Sequence, residues 1–179
     1  MENKELFKKA LDFVLAREGG YANIKGDLGG MTYKGITQAT YTTYLKSQGR
    51  QSKAIATEYK TGSVPKGLNY IHYGARNVDV VIHITNKEIE DIYYSRYWIA
   101  AGCHKMTKKF AVVAFDTAVN MGVSRVGEFL RACQYNDIEV FYLKRIEKYN
   151  EFAKVASQRQ FLHGWLNRMF ALIKFIDSL

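Results

Sequence analysis

Leu6-Phe7-Lys8-Lys9-Ala10-Leu11-Asp12-Phe13-Val14-Leu15-Ala16-Arg17-Glu18-Gly19-Gly20-Tyr21 is an apolar-patterned run that stops at a carboxylate and two glycines. Leu6, Ala10, Phe13 and Val14 recur at helical spacing and share one face, which predicts an amphipathic helix with Glu18 as its last residue. Gly19 is expected to supply the left-handed residue that commonly follows the last turn. A helix C-terminus carries a partial negative charge, so a carboxylate held there is disfavoured as an anion and kept toward its acid form. That is the state a general acid needs. Arg17 works against it as a neighbouring cation, although adjacent helix positions point in different directions. The plainer reading of Glu18 is a solvated glutamate at a helix end.

Beyond Glu18 the chain turns glycine-rich. Asp27 lies within Lys25-Gly26-Asp27-Leu28-Gly29-Gly30, Thr32 follows, and Gly35-Ile36-Thr37 leads into a second helix with Thr37 as N-cap. A glutamate ending a helix, followed by a glycine hairpin presenting an aspartate and a threonine, sets three polar groups around one cleft. Asp27 reads equally as a turn residue bonding its own backbone, and Thr32 as an ordinary hairpin residue.

These residues, with others downstream, resemble glycoside hydrolase family 108, N-acetylmuramidases that cleave bacterial peptidoglycan. The first block is Glu18-Gly19-Gly20-Tyr21-x-Asn23, then Asp27-x-Gly29-Gly30-x-Thr32 and Gly35-Ile36. The second is Ile92-Tyr93-x-x-Arg96-Tyr97-Trp98, Gly102-Cys103, and Phe115-Asp116-x-Ala118-Val119-Asn120-x-Gly122. The third, Phe161-Leu162-x-Gly164-Trp165-Leu166-Asn167-Arg168, is similar to the peptidoglycan-binding region that accompanies that catalytic domain. The chain departs from the family, whose members usually have a glycine-containing loop and a longer helical stretch at this point, where Cys133-Gln134-Tyr135-Asn136-Asp137 passes directly into the next helix. The resemblance implies a lysozyme-like fold, peptidoglycan glycan strands as partner, and Glu18 as the catalytic glutamate. Asp27 would stabilise positive charge or orient water, and Thr32 would assist the water.

Composition sets bounds on the rest. One domain is expected for 179 residues, with 47% hydrophobic and 14% aromatic residues to build a core. Within it, residues 1–98 carry the glutamate and hairpin, and 99–179 the helical region resembling the binding domain. The two cysteines, Cys103 and Cys133, read as buried free thiols rather than a bridge. Twenty-six Lys and Arg against 17 Asp and Glu leave a net charge of +9. Those cations are scattered, which fits diffuse attraction to an anionic wall better than nucleic-acid reading, so no nucleic-acid partner is expected. No apolar run approaches a membrane span. Met1–Glu5 lacks the basic start of a secretory signal. The expectation is a monomer made in the bacterial cytoplasm that reaches the wall after release, for instance as a phage endolysin passing a holin.

The remaining signals are helical. Gln38–Leu45 reads as a helix, 47–68 as a polar connection, and Thr85-x-x-Glu88 as a capping box opening a helix to about Trp98. Lys108–Met121 is apolar nearly all round and is expected to be the central buried helix. Ser124 and Asp137 are expected to cap the two helices that follow, and a last helix carries Trp165, Met169, Leu172 and Ile176. The fold class is mainly α: a lysozyme-like helical domain with one small glycine-rich β-hairpin beside the catalytic helix.

Asp116 and Asn120 share a face of the central helix and need partners, either protein groups or a bound sugar. For Asp116 the protein alternative is bonding to backbone near the hairpin. Tyr21 and Tyr33 are candidate stacking faces for sugar rings, as are Tyr97 and Trp98, the last of these reading better as core. The four histidines are too dispersed for a zinc site, and no metal or cofactor is expected. Two other readings stand beside the hydrolase: a lytic transglycosylase, which needs one glutamate and no second carboxylate, and a non-catalytic wall-binding or nucleic-acid-binding helical module.

Overall fold

Every residue from Ala111 to Ala118 is buried along one helix, α4 (Lys108–Met121), as its near-continuous apolar sequence demands. The computed structural model describes residues 2–23 and 30–179, is about 60% helical and carries two small antiparallel sheets. Two compact units are present: the N-terminal helix through Arg17 together with Tyr93–Leu179, and Glu18–Ile92. The N-terminal helix thus groups with the C-terminal helices rather than with the residues that directly follow it.

In the first unit, α4 packs against α1 (Glu2–Leu15), α5 (Val123–Ala132) and α7 (Leu162–Asp177), while α6 (Ile138–Ala153) pairs with α7. Phe7 of α1 meets Trp98 and Phe115 edge to face, with ring centres 5.4 and 5.6 Å away. Such tilted pairs add to what area burial alone provides. Trp98 is fully buried and donates its indole N–H to Asn3 Oδ1 at 3.2 Å. Asp137 caps α6 by accepting from Val140 N at 3.0 Å. Ser124 does not cap α5, whose N-cap is Gly122, two residues earlier and a glycine at φ 94°.

The second unit holds both sheets. Strands β1 (Tyr21–Ala22), β2 (Thr32–Tyr33) and β3 (Ile36–Thr37) pair in that order. Lys34 and Gly35, at φ 46° and 73°, close the β2–β3 hairpin, both left-handed as a type I′ turn requires. Thr37 then caps α2 (Gln38–Ser47) through Thr40 N at 3.2 Å.

A second sheet, β4 (Ala56–Lys60), β5 (Ile71–Tyr73) and β6 (Val78–Ile82), runs in the order β4-β6-β5. It corrects the expectation of a polar connection and a single hairpin. Ala56, Val80 and Val81 of this sheet, and Ile55 just before it, are buried, and the consecutive pair Val80–Val81 buries apolar side chains on both of its faces.

The capping box at the start of α3 (Asn86–Tyr93) is formed as expected: Thr85 N donates to Glu88 Oε2 at 2.8 Å and Glu88 N to Thr85 Oγ1 at 3.2 Å. Glu88 is also buried against Arg50 and the Tyr41 hydroxyl. Burial opposes its charge, but the Thr85 and Arg50 hydrogen bonds outweigh that and hold its carboxyl below the usual range. The α3 helix continues as a π-helical turn over Tyr94–Ile99. Cys103 and Cys133 are buried free thiols, and burial pushes the Cys103 thiol up to about 12.

Candidate active site

Helix α1 ends at Leu15, three residues before Glu18, which corrects the expectation of a glutamate in the last helical position. Arg17 N bonds back to Val14 O at 2.9 Å, tightening the final turn. The Arg17 side chain folds back as well. Its guanidinium lies 3.5 Å from the centre of the Phe13 ring, and Nη1 donates to Phe13 O at 2.8 Å. The carbonyl end of α1 is therefore capped by Arg17. Glu18 sits in a bend just beyond it, half-buried. Gly19 is not left-handed, contrary to expectation, so the chain leaves the helix without a glycine C-cap.

Gly20, not Gly19, is the glycine that meets a neighbour. A Cβ built on Gly20 would lie 3.3 Å from the Tyr73 hydroxyl, so close approach, not turn geometry, asks for glycine there. That same hydroxyl accepts from Tyr21 N at 3.1 Å. At the other end of Tyr21, its own hydroxyl donates to Glu58 Oε1 at 3.1 Å. Arg76 completes the group, with Nη1 3.4 Å from Glu58 Oε1 and its guanidinium 5.5 and 5.4 Å from the Tyr21 and Tyr73 ring centres. Burial first, and then the Glu58 charge, push the Tyr21 phenol up to about 12, so it remains a donor at neutral pH. The Tyr21 ring is buried, which makes it an anchor rather than an open stacking face.

Thr32 and Tyr33 lie beside this anchor. Ala22 pairs with Thr32 and Tyr21 with Tyr33 across β1 and β2, and both β2 residues are half-buried. Thr32 Oγ1 reaches Gly30 O at 3.4 Å. Burial, followed by Tyr73, raises the Tyr33 phenol above its ordinary value. Glu18, Tyr21, Thr32 and Tyr33 therefore belong to one unit and one run of chain. Asp27 lies outside the described residues.

Asp116 and Asn120 belong to the other unit. Asp116 is 1% exposed and is held by two arginines: Arg145 Nη2 at 2.6 Å from Oδ2, and Arg168 Nη2 at 2.8 Å from Oδ1. Burial opposes its charge, but Arg145 and Arg168 outweigh that and keep the carboxyl below the usual range. Its partners are thus side chains of α6 and α7, not backbone near the hairpin. Arg145 is itself fully buried and also reaches Thr117 Oγ1 at 3.0 Å and the Tyr149 hydroxyl. Asn120 Oδ1 accepts from the Tyr149 hydroxyl at 2.7 Å, and the residue is half-buried.

Glu58, Tyr73 and Arg76 escaped the sequence reading. They sit on or next to short strands whose alternation is weak, and only the density of tyrosines hinted at them. Among the described residues, no group of three or more His, Cys, Asp or Glu is placed to hold a metal ion.

The model of the family Glycosyl hydrolase 108 matches residues 11–122, more than half of the chain. No curated protein matches. Among solved structures, Brucella abortus SagA is similar over 98% of this chain and 95% of that one, with a TM-score of 0.65 and 20% identity. That likeness extends the shared fold through α5, α6 and α7, beyond the matched family region. Glu18-Gly19-Gly20-Tyr21, just past the first helix, lies inside the matched residues, and the match leads to one conclusion: the chain belongs to glycosyl hydrolase family 108 and is a glycoside hydrolase of mainly α, lysozyme-like fold.

Proposed function

We propose that this protein is an N-acetylmuramidase that cleaves the β-1,4 bond between N-acetylmuramic acid and N-acetylglucosamine in peptidoglycan. The observation that carries the reading is the double anchoring of Tyr21, backbone to Tyr73 and hydroxyl to Glu58, which steadies the strand that follows Glu18. A catalytic group needs such support to hold its geometry. Glu18 donates a proton to the glycosidic oxygen as positive charge develops on the departing sugar carbon. Asp27 stabilises that charge or orients the attacking water, and Thr32 assists the water. Tyr33 and Asn120 contact the glycan. Asp116, buried between Arg145 and Arg168, ties together the helices of its own unit.

The cellular role proposed is lysis, with the protein acting as an endolysin. It would be made in the cytoplasm, released across the inner membrane by other means, and act as a monomer on the wall. Among the described residues no helix is long and apolar enough to cross a membrane.

The test is turbidity loss of a Gram-negative cell-wall suspension with purified protein. Clearing by the native chain and none by Glu18→Gln, with unchanged circular dichroism, is the expected pair. Undiminished clearing by Glu18→Gln overturns the assignment. Products ending in 1,6-anhydromuramic acid would replace hydrolysis with transglycosylation.

A further inference from the structure

A cavity of about 360 Å3 opens in the unit formed by α1 and the C-terminal helices, lined by Arg17, Asn120, Gly164, Trp165, Asn167 and Arg168. Its chemistry is that of a binding site rather than a packing gap. Arg17 spends only Nη1, on Phe13 O, so Nε and Nη2 remain for a ligand. Asn120 spends its oxygen on the Tyr149 hydroxyl, which turns its NH2 group toward further acceptors. Asn167 contacts His163 through its nitrogen at 3.2 Å, leaving an acceptor oxygen at an exposed position.

The floor is rigid. Arg168 is clamped to Asp116, and Trp165 stacks on Tyr149 with ring centres 5.4 Å apart and planes within 14°. Preorganised donors on a stiff wall lower the ordering cost of capturing a ligand. Arg17 is an exposed residue lining the cavity; partial desolvation lowers its pKa from the ordinary arginine value, the Asp116 carboxylate opposes that and the Arg168 charge adds to it. The remaining Arg17 N–H groups suit a charge-assisted pair with a carboxylate.

We propose that this cavity is a carboxylate-recognising subsite in which Arg17 takes an acid group and Asn120 and Asn167 take neighbouring amide groups of the same ligand. The inference rests on the muramidase reading for the ligand's source. Peptidoglycan offers carboxylates of two kinds: the free acids of the peptide stem, and the lactyl acid of muramic acid wherever the stem amide has been removed. Both have the chemistry the cavity asks for. A neutral chitin oligomer carries the amides without the acid and is the natural discriminator.

The test uses the full chain and follows the Trp165 indole N–H signal by NMR. N-acetylmuramic acid, its methyl ester, N-acetylmuramyl-L-alanyl-D-glutamate, the same compound with both glutamyl acids amidated, and chitotriose are titrated in turn. At least one acid is expected to bind tenfold or more tightly than its own neutral form. A gap between the free sugar acid and its ester names the lactyl group as source. A gap between the glutamyl acid and its amide names the stem.

Arg17→Met, which keeps an aliphatic stem over Phe13, is expected to erase the gap, and Arg17→Lys to restore part of it. Asn167→Asp, at an exposed position, is expected to weaken acid binding by placing a charge of the same sign at the rim. If Arg17→Met fails to fold, the comparison of acid with neutral ligand on the native chain still decides. Equal binding of acids and neutral forms, or no change at Trp165, overturns the proposal. A chain that discriminates acids yet never clears walls would keep the subsite and sink the muramidase. One that clears walls without discrimination would do the reverse.

Discussion

Asp116 is the residue whose environment departs furthest from water. Taking a carboxylate and an arginine fully out of solvent costs several kcal/mol for each ion, which only close pairing and hydrogen bonding repay. Removing one partner leaves the other charge stranded. Asp116→Asn is therefore expected to destabilise the fold by about 3–5 kcal/mol, since Arg145 loses its carboxylate while still buried. Denaturant unfolding at neutral pH measures this. The pH dependence has a definite sign. Asp116 has a folded-state pKa below its unfolded value, so its stabilisation is full above the ordinary carboxylate range and is lost as pH falls through the depressed value. The gap between native chain and variant should close in acid. None of this was legible in the sequence beyond the need for a partner. The arginines lie 29 and 52 residues away, and no local pattern announces contacts that long.

At the scale of elements, the capping boxes and the fastening of Tyr21 are the features most open to measurement. Thr85→Ala removes the hydroxyl that accepts from Glu88 N and is expected to cost about 1 kcal/mol, read as a lowered urea midpoint at unchanged slope. Tyr21→Phe keeps the ring in its buried seat and deletes the hydroxyl that donates to Glu58. It should lose about 1 kcal/mol of stability. If the anchoring steadies Glu18, wall clearing by Tyr21→Phe falls more than the small loss of folded protein explains, and equal clearing per folded molecule would separate the anchor from the chemistry. The helices were readable because their signals are local: the apolar run of α4 and the Thr85–Glu88 and Asp137 caps each lie within a few residues of what they bond. The second sheet was not, because β4 alternates Thr, Glu, Tyr and Lys with little apolar contrast, and its partner β6 comes only after β5. Glu58 and Arg76 went unseen for that reason. The end of α1 was misjudged because Arg17 takes the cap that the sequence reading assigned to Gly19.

For the whole molecule, charge is the property that acts at long range. A net +9 draws the protein to polyanions, and salt screens that attraction over about 8 Å at physiological ionic strength. Wall clearing is expected to be faster in dilute buffer and to slow steadily as sodium chloride rises, through weaker association and without change in thermal unfolding. A rate indifferent to salt would mean that the cleft alone governs attachment.

The placement of α1 also sets a timetable. Its apolar face, with Phe7 against Trp98 and Phe115, has its partners past the middle of the chain, whereas Glu18–Ile92 is continuous and makes its sheets from itself. A ribosome delivers residues in order. The segment that begins with Glu18 therefore has all its pairing strands in hand while α1 still waits for α4. Pulse-labelling hydrogen exchange during refolding should show amides of β4 and β6 protected independently of α1, and those of α1 protected together with α4. A helix made before Glu18–Ile92 thus finds its place only after that segment has its strands, and an interrupted synthesis leaves its aromatic face exposed to chaperones and proteases.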